Sequence, residues 1–186
     1  AGRGADGRRV SLEGAYQEGG NVTDEAVEVS VAKAVVSELA AATLSQTISP
    51  VRSWADWVQP LETDDTCKEN TFYVDVVPVA TAQEIEASSR NTLAYTCPID
   101  IAVRKKFGAS RQDQDTGRTV IDDVDALMLL VQEIHELFTL ARMQDFDAAA
   151  WQGTKRLVAP HKPHLRDLRQ FTGIVRVTFR VDRKVV

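Results

Sequence analysis

The stretch 121–142, IDDVDALMLLVQEIHELFTLAR, constrains the fold more than any other part of the chain. Val124, Leu127, Met128, Val131, Ile134 and Phe138 recur at spacings of three and four, which gathers them on one stripe of a helix. Asp122, Asp123 and Asp125 fall in the opening turn, where free backbone N–H groups and the positive end of the helix dipole favour carboxylates. Arg142 sits in the closing turn, where a cation is favoured. A stripe this apolar needs a partner, and the alternating segments on either side of it predict a sheet.

Those segments run through most of the chain. An earlier helix is predicted from Thr23 or Asp24 as cap, with Val27, Val31, Ala34, Val35, Leu39 and Ala42 as its apolar stripe, ending before Ser49-Pro50. Residues 51–58 alternate with a tryptophan on each face, which predicts one ring in the core and one against a neighbour. Residues 63–70 read as a polar turn. In 71–79, Phe72, Val74 and Val76 share one face and Tyr73, Asp75 and Val77 the other, with Pro78 ending the strand or placing it at an edge. Residues 80–90 read as a polar connection with a helical turn. In 92–105, Leu93, Tyr95, Cys97, Ile99, Ile101 and Val103 point inward and Thr96, Asp100 and Arg104 outward, with Pro98 implying a bulge or an edge.

After the main helix come an alanine-rich piece with Trp151, a brief strand at 156–159, a rigid turn at 160–164 and a helical turn at 165–169. In the closing strand 171–181, Val175, Val177, Phe179 and Val181 make one face and Ile174, Arg176, Thr178 and Arg180 the other. The expected architecture is α+β: a single domain with a mainly antiparallel sheet and helices packed on one face.

The flanks read differently. Residues 1–22 hold six of the ten glycines, mixed with charges and without a hydrophobic period. They are expected to form a flexible arm that orders on assembly, or to be an extension at the gene start or from cloning. The folded domain is placed at 23–182 and a short tail at 183–186. The loop 106–119 exceeds the ~12 residues usual for a connection, so it is either a solvated loop or one that orders against another subunit.

Composition narrows the function. A chain of 186 residues, 44% hydrophobic, can bury one core. A net charge of −5 argues against a dedicated nucleic-acid binder. No apolar run reaches the ~20 residues of a membrane helix, and the Gly- and Arg-rich N-terminal stretch lacks the apolar block of a signal peptide. Cys67 and Cys97 read as free thiols in a reducing compartment.

Patterns that carry catalytic chemistry are few in this chain. Glu133, His135 and Glu136 lack the second histidine of an HEXXH site and read as a solvated helix face. His161 and His164 are half of a metal site at most, within a proline-rich turn. Asp75 and Asp100 on neighbouring strands, with Lys105 beyond, are similar in outline to a metal-dependent nuclease. The second acid is followed by Ile101-Ala102 and not by x-Lys, so the pattern breaks where the chemistry needs it. There is no phosphate loop and no GxSxG elbow. No enzymatic activity, metal or cofactor is expected.

A resemblance rests on four features in order: an N-terminal helix before a short strand, the strands TFYVDVVPV and NTLAYTCPIDIAVRKKF, the helix DDVDALMLLVQEIHELF, and the closing LRQFTGIVRVTFRV. Arg90, Leu93, Ile101, Val103 and Arg104, then Asp123 to Leu127, then Val175 to Arg180 fit the pattern. The chain thereby resembles the tail terminator proteins of long-tailed bacteriophages over roughly residues 23–182. The resemblance is one of hydrophobic positions, with no catalytic signature.

It implies a virion protein of the tail and neck, made in the host cytoplasm. Copies would form a ring, six-fold in that family, at the head-proximal end of the tail tube. Its partners would be itself, the major tail tube protein and the head-completion or connector protein, with DNA passing through the ring and no membrane contact. Arg104, Lys105, Lys106, Arg111, Arg118, Arg176 and Arg180 are the candidate contacts between subunits or with the lumen; the plain alternative is solvated edge charge. Another neck component, such as a head-closure protein, is the nearest other reading, and a nuclease the most distant.

Overall fold

The computed structural model describes residues 25–54, 56–61, 71–79, 84–108, 119–139 and 149–184. In chain order these form α1 (Val27–Ala41), β1 (Pro50–Arg52), β2 (Phe72–Pro78), β3 (Glu84–Ser89), β4 (Thr92–Lys106), α2 (Val120–Leu137), β5 (Ala149–Val158), α3 (Lys162–Asp167) and β6 (Gln170–Lys184). The six strands make one mixed sheet in the order β1-β2-β4-β6-β5, with β3 alongside the first half of β4. All pairings are antiparallel except β1 with β2. The chain is therefore a single α+β domain.

Alternation along the strands decides where the core lies. Val74 and Val76 of β2, Cys97, Ile99, Ile101 and Val103 of β4, and Val175, Val177 and Phe179 of β6 share one face and are buried. The stripes of α1 (Val27, Val31, Val35, Leu39) and α2 (Leu127, Leu130, Val131, Ile134) complete the same cluster. Each large aliphatic side chain buried there is worth about 1.5–3 kcal/mol. Gly173 on β6 is needed for this contact: a Cβ there would lie 2.7 Å from Val131 Cγ2.

Several elements depart from the sequence reading. Within the expected connection at 80–90, Glu84–Ser89 is in fact the strand β3, which turns at Arg90-Asn91 into β4; residues 80–83 lie outside the described residues. The extended run at 51–58 shrinks to β1, followed by a turn, and Trp54 is 58% exposed. The brief strand at 156–159 is the end of the ten-residue β5. Its register shift between Trp151 and Gly153 sets Trp151 and Thr154 on one side. There Trp151 Nε1 donates to Thr154 Oγ1, which donates to the carbonyl of Phe138 and closes the end of α2. The helix α2 therefore stops at Leu137, and Arg142 lies outside the described residues.

The start of α2 is capped by Thr119, whose hydroxyl accepts from Asp122 N–H while the Asp122 carboxylate accepts from Thr119 N–H. The helix α1 has Ala26 at its cap position with no side-chain bond; Thr23, Asp24 and the predicted arm fall outside the described residues. The helix α3 starts at Lys162, three residues before the predicted turn at 165–169, because Pro163 suits a first helical turn.

Pro98 lies inside β4, which is not an edge. Its carbonyl accepts from Val79 N–H, so its nitrogen faces the same flank of β4. That is the point where the neighbour of β4 changes from β3 to β2, and a ladder donor can be spared there.

Candidate functional site

The sheet face away from α1 and α2 carries the charges that the sequence placed outward. They are not simply solvated. Arg176 Nε and Nη2 donate to the two carboxylate oxygens of Asp100 at 2.7 and 2.9 Å, across directly paired positions of β4 and β6. Asp100 is 2% exposed, so the fork replaces the water the carboxylate has lost. The same bond holds the Arg176 guanidinium above its already high pKa. One step along, Arg104 Nε donates to Asp75 at 3.0 Å from β4 to β2. Arg104 is itself buried.

A segment covers one end of this face. Ser53 N–H bonds the Val76 carbonyl at the β1 edge, and Leu61 N–H bonds Gln170 Oε1 at the start of β6. Between them the Trp57 ring stands edge-on to His161 at 6.3 Å. His161 in turn meets the His164 ring at 4.1 Å. His164 Nδ1 lies 2.9 Å from Thr172 Oγ1, which also accepts from Gln170 Nε2. Burial, then His161 and Arg104, push the His164 imidazole below the usual histidine pKa against an opposing bond to the Val58 backbone. This histidine pair is a packed network under the segment. Among the described residues no group of three His, Cys, Asp or Glu side chains is placed to hold a metal ion.

The predicted contact residues thus separate. Arg104 and Arg176 are committed to Asp75 and Asp100. Lys105 points to the helix side and bonds Asp123 in the first turn of α2 at 2.6 Å, above the Phe107 ring. Lys106 ends β4 opposite Gln170. Arg180 is 42% exposed beside Asp182. Arg111 and Arg118 lie outside the described residues. Glu133 binds the backbone and hydroxyl of Ser45, which ties the link after α1 to α2. The two acids of the nuclease pattern, Asp75 and Asp100, each grip an arginine.

The surface features that the sequence did not single out are apolar. A groove of about 640 Å³ opens between the start of α2 and α3, floored by Phe107, Val120, Val124 and Leu165 and rimmed by Ile121 and Arg166. Val51 and Trp54 at the β1 edge, Ile85 on β3 and Leu157 on β5 are all at least 40% exposed. Only an assignment of β3 as a strand would have made Ile85 an edge residue, and the alternation over Glu84, Ile85 and Glu86 was the available signal.

Fold and surface together define an α+β protein with α1 and α2 layered on one sheet face and apolar side chains at its sheet edges. No known protein-family model matches the chain, and no curated protein matches it. Among the described residues no helix is long and apolar enough to cross a membrane.

Proposed function

We propose that the chain is a structural ring-forming protein of a long-tailed phage particle: a tail terminator whose copies, six in that family, close the head-proximal end of the tail tube and offer the joining surface to the head. One observation supports this best. Among the described residues the sheet ends in two unlike edges, β1 with β3 on one side and β5 on the other, and each carries exposed apolar side chains. A contact between two different patches of the same chain repeats head to tail, and it closes into a ring when the rotation allows. The groove beside α2 provides a further apolar surface for the tube or head partner. The ion pairs of Arg104 with Asp75 and of Arg176 with the buried Asp100 tie β2, β4 and β6 together, which favours edge contacts repeated with the same geometry in each copy.

The test is deletion of the coding gene from the particle genome, followed by negative-stain microscopy. Tails of uncontrolled length, or tails that do not join heads, support the terminator reading. Normal tails beside heads that leak DNA would move the chain to head closure. Normal, infectious particles would remove it from the neck altogether.

A further inference from the structure

We propose that strand β3 of one copy joins strand β5 of the next, so that the contact between neighbours is a continued sheet held by opposite charges. In the half of the sheet where β3 lies, the order is β3-β4-β6-β5, and among the described residues β3 and β5 are its outer strands. Each step in that row is antiparallel, so β5 runs opposite to β3. A β5 strand from a second copy in the same orientation therefore meets β3 in the antiparallel sense, and the ladder continues.

The two edges complement each other in charge. Glu84, Ile85 and Glu86 of β3 are exposed, with Ile85 57% exposed. Lys155, Arg156 and Leu157 of β5 are exposed, with Leu157 40% exposed. None of these four charged side chains forms an ion pair among the described residues. One edge is acidic around an aliphatic residue and the other is basic beside one. Both halves of the match sit on the same chain at opposite edges, so the partner it fits is a second copy, joined head to tail.

Facing is consistent for Glu84 and Lys155, while Arg156, level with Val175, shares the helix-side face with Ile85, level with Tyr95. Glu84 lies level with Thr96 and Arg180, and Lys155 lies level with Asp100 and Arg176, all on the sheet face away from α1 and α2. Along β4 those two levels are four residues apart, Thr96 to Asp100. A stagger of about 13 Å, at ~3.3 Å per residue, sets Glu84 against Lys155. Strand stagger of this kind accompanies the closing of a sheet around an axis.

This inference rests on the ring reading and adds its contact. The experiment measures the mass of the full chain in solution for wild type, for Glu84→Lys with Glu86→Lys, and for Lys155→Glu with Arg156→Glu. All four positions are exposed, and circular dichroism with a melting curve shows whether each variant stays folded. The expected result is that wild type assembles and that each variant associates at least about tenfold more weakly. An equimolar mixture of the two variants regains assembly, because every edge again faces its opposite. Variants that assemble as wild type does, or a mixture that stays dissociated, overturn the edge contact and leave the ring reading standing. A wild-type chain that stays monomeric at every concentration overturns both.

Discussion

The Arg176 guanidinium grips the Asp100 carboxylate through two bonds across the centre of the sheet, and Asp100 has almost no other access to solvent. Removing one partner strands a buried charge. Arg176→Ala is expected to destabilise the fold by about 3 kcal/mol, the lower end for a buried pair because Arg176 itself is 29% exposed. Replacing both, Asp100→Leu with Arg176→Met, is expected to cost far less than the single change. Urea midpoints with unchanged slopes check this.

Gly173 permits the close approach of α2 to β6. Gly173→Ala places a Cβ against Val131 Cγ2 and the Phe171 ring, at 2.7 and 3.1 Å. Overpacking of this kind costs about 1–3 kcal/mol. Val131→Ala in the same chain makes room for the new methyl, and the double variant is expected to be less destabilised than the sum of the two single changes.

His164 gives the fold a dependence on pH. Its pKa is lowered in the native chain, chiefly by burial and then by His161 and Arg104. The unfolded chain therefore takes up a proton that the folded chain resists, so the contribution of this residue is intact above the ordinary value of 6.5 and is lost as pH falls below it. His164→Gln is expected to flatten the stability profile below that value and to leave it parallel to wild type above it. Equilibrium unfolding at a series of pH values reads the difference directly.

Thr119 caps α2 through its side chain and shares a reciprocal bond with Asp122. Thr119→Ala is expected to cost about 1 kcal/mol, while Thr119→Ser keeps the acceptor and is close to neutral. Thermal melting of the two variants side by side checks it.

The parts of this fold legible in the sequence are those where one periodicity has one cause. The stripes of α1 and α2 and the alternation in β2, β4 and β6 each reflect one apolar face turned to the same core, and Val31, Ile134 and Val177 all lie where periodicity puts them. Reading failed where a second cause intervened. Asp100 and Arg104 alternate as if they faced water, yet β4 is central and both are buried in ion pairs, which a binary pattern cannot distinguish from solvation. Pro98 suggested an edge because the change of neighbour from β3 to β2 is a tertiary fact. The exposed glutamates of β3 give it the polarity of a loop, and the two register shifts of β5 break the alternation that would mark its full length. The candidate contact residues share only their charge. Charge does not say which arginines are held by a buried acid, as Arg176 is by Asp100, and which lie at the surface, as Arg180 does beside Asp182.

The central claim is that this chain acts through contacts between its own copies. Electron microscopy of the purified full-length chain, with class averages of single particles, tests it most directly. Closed rings of one rotational symmetry, six-fold under the proposed function, are the predicted result. A uniform population of single copies, unchanged when tail tubes are added, would contradict it.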